Sequence, residues 1–232
     1  MEYNHHKEKN YWDSVGKTEY VSLSEYDQQR MYSWIGSADG KRILDIGGGS
    51  GMAGSFFSEQ DVYCLDLSRQ MLKHSSAINV QANALKLPFK SESFDLIIAA
   101  AFFHHLPQQH GLLLKECYRV LRPGGRIVGY DPNLECVANR LFMGKNMLRL
   151  SQFSPEEEPI LPGELSRLAT EEGFNNFHSF LFTFRNSKMS FFEVIQRYIL
   201  NGFSVGGMKK YVERWFFWQA VRSPGAIKRA PE

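Results

Sequence analysis

Ile43-Leu44-Asp45-Ile46-Gly47-Gly48-Gly49-Ser50-Gly51 opens as a short, mainly apolar run and stops abruptly in glycine. Such a run is what a strand presents when helices cover both faces of a parallel sheet and leave it no solvent side. The glycines permit positive φ and let a ligand approach the backbone. A helix expected over about 52–59 starts behind them and offers unpaired N–H groups. The next strand, Val62-Tyr63-Cys64-Leu65-Asp66, ends in an acid 21 residues after Asp45. A carboxylate there stands beside the tip of the first strand, where it can accept two hydrogen bonds from a ribose diol. The pair of features specifies a nucleoside-containing ligand at the carboxyl edge of a parallel sheet.

The same alternation extends outward from this segment. Ser68 is a good N-cap for a short helix through Met71 and Leu72. Further strands are expected near 78–82, over 95–100 and over 126–131. A helix over about 109–121 places Leu113, Cys117, Val120 and Leu121 on one face and stops at Arg122-Pro123-Gly124-Gly125. Five strands joined by short helices predict an α/β, doubly wound parallel sheet. After Pro132 the pattern changes. Helical stretches are expected over 136–150, 163–172, 189–200 and 207–220, with a strand over 177–184 and an acidic loop over 154–159.

Composition narrows the functional classes. With 232 residues, 43% of them hydrophobic and 22% charged, the chain has the make-up of a globular domain rather than a disordered one. A formal net charge of +2 argues against a dedicated duplex-DNA binder, which carries a strong basic excess. Cys64, Cys117 and Cys136 are odd in number and widely spaced, so neither a disulfide framework nor a cysteine-based zinc site is expected, and the cytoplasm is the expected compartment. The N-terminus is polar and lacks a signal-peptide core, and the longest apolar run, 96–103, is far too short to span a bilayer.

Gly49-Ser50-Gly51-Met52-Ala53-Gly54 formally matches the dinucleotide fingerprint G-x-G-x-x-G, a weak signal on its own. A nicotinamide enzyme would show a second mononucleotide-binding half, and this chain turns to an aromatic-rich region instead. A glycine-rich turn without any ligand is the remaining plain reading. The motifs taken together go further. Residues 43–51 resemble the first signature of class I S-adenosylmethionine-dependent methyltransferases, and Leu65-Asp66-Leu67-Ser68 with Met71-Leu72 resembles the second. Ala82-Asn83-Ala84, Leu87-Pro88-Phe89, Ser93-Phe94-Asp95-Leu96-Ile97, His104-His105-Leu106 and Arg119-Val120-Leu121-Arg122-Pro123-Gly124-Gly125 follow in family order over residues 41–131. Within that superfamily the chain is most similar to the small-molecule group that includes the ubiquinone/menaquinone-biosynthesis methyltransferases.

The resemblance implies a Rossmann-like methyltransferase fold, mostly parallel and of the seven-stranded type, with helical lid elements. It also implies S-adenosyl-L-methionine as cofactor and a small-molecule acceptor. One domain is expected over 1–232: a cap over 1–40, a cofactor-binding core over 41–131, and a substrate-side and lid region over 132–232. By the resemblance, Asp45 orients the loop and the methionine amino end, while Gly47, Gly49 and Gly51 belong to the binding loop. Asp66 holds the ribose, and Leu67 and Met71 flank the adenine. Asn83 and Ala84 meet the adenine edge, and Ala100 lines the methionine moiety. Asn83 stands where the family often has Asp. Its amide oxygen can still accept from an amino group, or it can serve as a turn residue.

Methyl transfer from a sulfonium is an in-line displacement in which positioning does much of the work. Where the acceptor must lose a proton, His105 and His104, after the fourth strand, are the candidate bases, with Asp131 as second choice. Either histidine could instead hold the loop or pack on the cofactor. The other histidines show no metal-ligand spacing, and no metal is expected. The alternatives are a catalytically silent methyltransferase-like binding module and an NAD(P)-dependent reductase.

The flanks carry the aromatic excess. Of 32 Phe, Tyr and Trp, residues 41–130 hold 9, whereas 1–40 hold 7 and 131–232 hold 16. The flanks are therefore expected to roof an apolar or planar acceptor. On a C-terminal helix, Tyr211, Trp215 and Trp218 would share one face beside an excess of basic residues. That face fits a peripheral membrane contact or, more commonly, the buried side of a core helix. Oligomeric state is not legible.

Overall fold

The computed structural model describes residues 5–18, 25–57, 60–142, 157–182 and 213–224. Two helices, α1 (His5–Thr18) and α2 (Glu25–Ile35), precede the sheet. Then follow β1 (Arg42–Ile46), α3 (Met52–Phe56), β2 (Asp61–Asp66), α4 (Arg69–Leu72), β3 (Ile78–Gln81) and β4 (Phe94–Ala100). A 3-10 turn at Phe103–His105 leads to α5 (His110–Val120), β5 (Leu121–Pro132) and α6 (Val137–Phe142). Last come α7 (Pro162–Glu171), β6 (Phe174–Phe182) and β7 (Trp215–Arg222). The strands form one seven-stranded sheet in the order β3-β2-β1-β4-β5-β7-β6.

The first five strands are parallel, and β7 lies antiparallel between β5 and β6. β1 and β4 are central and apolar for the reason their sequences suggest: Ile43, Leu44, Ile46, Leu96 and Ile97 are fully buried. Strand order reverses between β1 and β4, which places a crevice at their carboxyl ends. One apolar cluster, including Phe94, Phe103, Leu113, Cys117 and Trp218, fills one side of the sheet; a second, including Met31, Ile35, Leu96, Val128 and Phe217, fills the other. All three cysteines are buried, and none of them is in a disulfide.

Two expectations need correction. Arg122-Pro123-Gly124-Gly125 was expected to end a helix ahead of a separate strand, yet these residues lie within β5 as an irregularity. Phe94 pairs with Leu121 and Leu96 with Arg126, so four residues bow out opposite Asp95. The Arg122 guanidinium closes the bow on both oxygens of Asp95, each 2.8 Å away.

The larger correction concerns the C-terminal region. The stretch 215–222 is not helical but is the strand β7, held by seven register pairs to β5 and as many to β6. Side chains in a strand alternate, so Trp215 and Trp218, three apart, face opposite sides of the sheet instead of sharing a helix face. Phe216, Trp218 and Ala220 join one core cluster, and Phe217 packs in the other with Trp215 beside it. The common face on which a membrane contact was expected therefore does not form. Tyr211 and the helix expected over 189–200 lie outside the described residues, as does most of the helix expected over 136–150. Among the described residues no helix is long and apolar enough to cross a membrane.

Candidate active site

A cavity of about 360 Å³ opens at the carboxyl edge of the sheet, where strand order reverses. That size suits a small organic ligand. Its floor is the loop after β1 and the tips of β2, β4 and β5. Its roof is Trp12 on α1, Met31 and Tyr32 on α2, and Trp215 and Phe217 on β7.

The glycine loop is bent back onto β2. The Gly47 and Gly48 N–H groups both donate to Leu65 O, at 2.7 and 3.2 Å, and Gly51 N–H donates to Gly48 O at 2.8 Å. Gly49 N–H donates to Asp66 Oδ2 at 3.0 Å, while Ser68 N–H donates to Asp66 Oδ1 at 2.7 Å. Glycine is required at 47 by both geometry and space: φ is +64°, and a Cβ there would fall 2.0 Å from the ring of Phe102. These loop amides are thus spent inside the protein, which leaves little of the N–H cradle that a pyrophosphate needs. Asp66 accepts from these two N–H groups and from Leu67 N–H, and its remaining lone pairs face donors from a ligand.

Two carboxylates sit in this floor. Burial pushes Asp45 up to about 7, against the donor effect of Ala53 N–H and with a smaller upward push from the charge of Asp66. Asp66 is raised to about 6, also by burial, although the N–H groups of Ser68, Gly49 and Leu67 pull it back down. Both are therefore poised to ionise when a positive or donor-rich ligand arrives.

Of the expected cofactor residues, Asp45, Gly47, Gly49, Asp66, Leu67, Met71, Asn83, Ala84 and Ala100 all line the cavity. Gly51 does not. It is the left-handed N-cap of α3, and a Cβ there would strike Ser75, so its task is the turn. Asn83 also serves a turn, since its Oδ1 accepts from Leu85 N–H at 2.9 Å.

The three candidate bases separate. His104 and Asp131 are buried, bonded to one another and absent from the cavity lining. Asp131 Oδ1 accepts from His104 N–H at 3.1 Å and pairs with His104 Nδ1 at 2.9 Å, and its Oδ2 accepts from Trp218 Nε1 at 3.0 Å. Burial lowers His104 to about 3 and raises Asp131 to about 7, so the pair is a hydrogen-bonded brace and not an exposed base. His105 does reach the cavity wall. Its ring meets Trp12 edge-on with centroids 5.2 Å apart, and burial holds it well below its ordinary value.

Residues that the sequence left unassigned complete this end. Glu8 on α1 and Glu157 beyond α6 are both buried. His105 Nδ1 lies 3.5 Å from Glu157 Oε1 and 3.8 Å from Glu8 Oε2. Glu157 was visible only as part of an acidic loop, because its 52-residue separation from His105 gives no spacing signal. α1 is fastened over the floor by Ser68 Oγ, which donates to Asp13 Oδ1 at 2.6 Å while accepting from Met71 N–H.

Comparison with known proteins gives a consistent picture. Residues 44–129 match the family described as "methyltransferase domain". A ubiquinone/menaquinone biosynthesis C-methyltransferase of Nitrosospira multiformis is 35% identical over 107 residues, spanning 40% of this chain and 43% of that protein. A demethylmenaquinone methyltransferase of Lactococcus lactis is 30% identical over 128 residues, spanning 47% of this chain and 49% of the other. The chain thus aligns with less than half the length of each. Among solved structures, an S-adenosylmethionine-dependent methyltransferase from Archaeoglobus fulgidus superposes with a TM-score of 0.65 at 21% identity, covering 85% of this chain and 94% of its own. A phosphoethanolamine N-methyltransferase of Haemonchus contortus, in complex with S-adenosyl-L-methionine, gives 0.59 at 19% identity, over 91% of this chain and 56% of its own. These two likenesses establish the fold.

Proposed function

From the premise that the chain belongs by fold and signature motifs to the class I S-adenosylmethionine-dependent methyltransferases, we propose that it methylates a small, apolar or planar acceptor. The observation that carries this reading is the floor of the cavity, where Asp66 is free to accept from a diol while the loop amides beside it are committed to Leu65 and Asp66. A nucleoside without a pyrophosphate fits that arrangement, and a dinucleotide does not. The cofactor supplies a methyl group already activated on a sulfonium.

The chain's own residues then bind and orient. Asp45 faces the amino end of the methionine part, Asp66 accepts from the ribose hydroxyls, and Leu67 with Met71 covers the adenine. Asn83 and Ala84 meet the adenine edge, and Ala100 lines the methionine end. Trp12, Tyr130, Trp215 and Phe217 wall the space beyond, which supports an apolar or flat acceptor. The relatives named for C-methylation in ubiquinone/menaquinone biosynthesis favour an aromatic ring carrying oxygen. Of the candidate bases, His105 is the one that reaches that wall. Excluding water from the roofed cavity and holding the two partners in line supplies most of the rate. Three buried thiols fit a reducing compartment.

Calorimetry with S-adenosylmethionine, S-adenosylhomocysteine and NADPH tests the reading. Both sulfur nucleosides should bind and the nicotinamide should not; the reverse pattern would sink it. Asp66→Ala should weaken the nucleosides by about 1–3 kcal/mol. Binding without turnover on any quinol-like or phenolic acceptor would favour a silent module.

A further inference from the structure

His104, His105 and Glu157 each offer a ligand atom, and these atoms lie within 4.8 Å of one another. His105 Nδ1 is buried and makes no hydrogen bond. Its 3.5 Å separation from Glu157 Oε1 is at the outer limit for a hydrogen bond, where N–H···O contacts cluster near 2.9–3.0 Å. It matches another arrangement closely. Two donors on one tetrahedral ion, with bonds of about 2.0–2.2 Å, stand roughly 3.4 Å apart.

His104 is held as a metal-ligating histidine is usually held. Its Nδ1 is engaged by the Asp131 carboxylate at 2.9 Å, which fixes the ring and leaves Nε2 for a ligand. Trp218 braces the far oxygen of the same carboxylate. The two imidazole rings lie against one another, tilted by 37° with centroids 4.1 Å apart. Glu8 Oε2, 3.8 Å from His105 Nδ1, accepts from Trp12 Nε1 at 3.1 Å and adds negative charge beside the three donors, and both Glu8 and His105 line the cavity, which provides an entry path.

We propose that His104, His105 and Glu157, with Glu8 beside them, form a site for a single divalent transition-metal ion of the zinc class at the acceptor end of the cavity. Two imidazoles and a carboxylate are a donor set suited to such an ion, and the buried carboxylates favour a double positive charge. The position left toward the cavity takes an oxygen ligand. If the methyltransferase reading holds, that ligand is a hydroxyl or carbonyl oxygen of the acceptor, oriented for attack. His105 then acts as a ligand and not as a base.

The test is direct on the full chain. Chelator-stripped protein is titrated with zinc ion alone against a chromophoric indicator, and metal content is counted by mass spectrometry. One ion per chain is expected, with Glu157→Gln and His105→Ala each weakening uptake about 10–100-fold. Cobalt substitution provides a readout that needs no variant: intense visible d–d bands of a tetrahedral site are expected in the wild type. Uptake no tighter than in the two variants, or wild-type cobalt spectra of the hydrated ion, would overturn the site. S-adenosylmethionine binding is measured in parallel on Glu157→Gln and should be unchanged. In the wild type, cofactor binding without metal uptake refutes the ion alone, whereas metal uptake without cofactor binding refutes the methyltransferase reading.

Discussion

Asp45 and Asp66 carry opposing demands. As buried carboxyls raised to about 7 and about 6, they cost the empty protein stability once ionised, and ionised is the form that grips a cationic or hydroxyl-rich ligand. The sign follows from proton counting. The folded protein keeps the Asp45 proton up to about pH 7, whereas the unfolded chain releases it near 4, so this group removes stability as pH rises from about 4 to 7. Asp45→Asn escapes that loss and keeps an acceptor for Ala53 N–H. The variant should therefore gain stability over the wild type, by a few kcal/mol at most, and the gain should be larger at pH 8 than at pH 5 in urea denaturation. The buried histidines work in the opposite direction, yet they are common to both proteins and cancel. The same variant should bind S-adenosylmethionine more weakly, a local trade of stability against function.

Elements differ in how much of them was written locally. The loop after β1 and the acid at the tip of β2 were legible because every residue that makes them lies within 24 positions, and their chemistry depends on neighbours in sequence. β7 was not. Trp-Phe-Phe-Trp satisfies a helical stripe and a strand equally well when read alone; what decides is pairing with Arg126–Pro132, some 90 residues earlier. His105 and Glu157 illustrate the same point for a site, since only the fold brings them together. β7 also reaches into the His104 brace through Trp218. Trp218→Phe keeps most of the packing but removes a donor from buried Asp131, and should cost about 1–3 kcal/mol in denaturant unfolding. At Gly129 the indole approaches so closely that a Cβ would sit 2.7 Å from its ring. That glycine was an unremarked strand residue until its partner was known.

At the scale of the whole molecule, α2 is packed into the core through Met31 and Ile35, whereas α1, among the described residues, meets the core through a few polar and aromatic side chains. α1 rests on α4 through Asp13 and Ser68, and on the acceptor end through Glu8 and Trp12 against His105. The core sheet contains no residue of α1. A chain beginning at residue 25 should therefore fold with a near-native circular-dichroism spectrum, yet bind S-adenosylmethionine about tenfold more weakly, since the roof over Ser68 and Met71 is gone. Equal affinity would show that α1 contributes nothing to cofactor retention.

The strand order has a consequence in time as well as in space. β7 is the last described element in the chain, yet it sits inside the sheet, between β5 and β6. While a ribosome is still making residues 213–222, among the described strands β6 has no neighbour and β5 shows an open flank, so the nascent protein exposes unpaired strand edges. Trp215 and Phe217, which close the cavity, arrive with that same strand. A cell therefore holds no complete ligand pocket until residue 217 has been made, and a ribosome stalled before position 213 leaves a sheet primed to pair with the wrong chain.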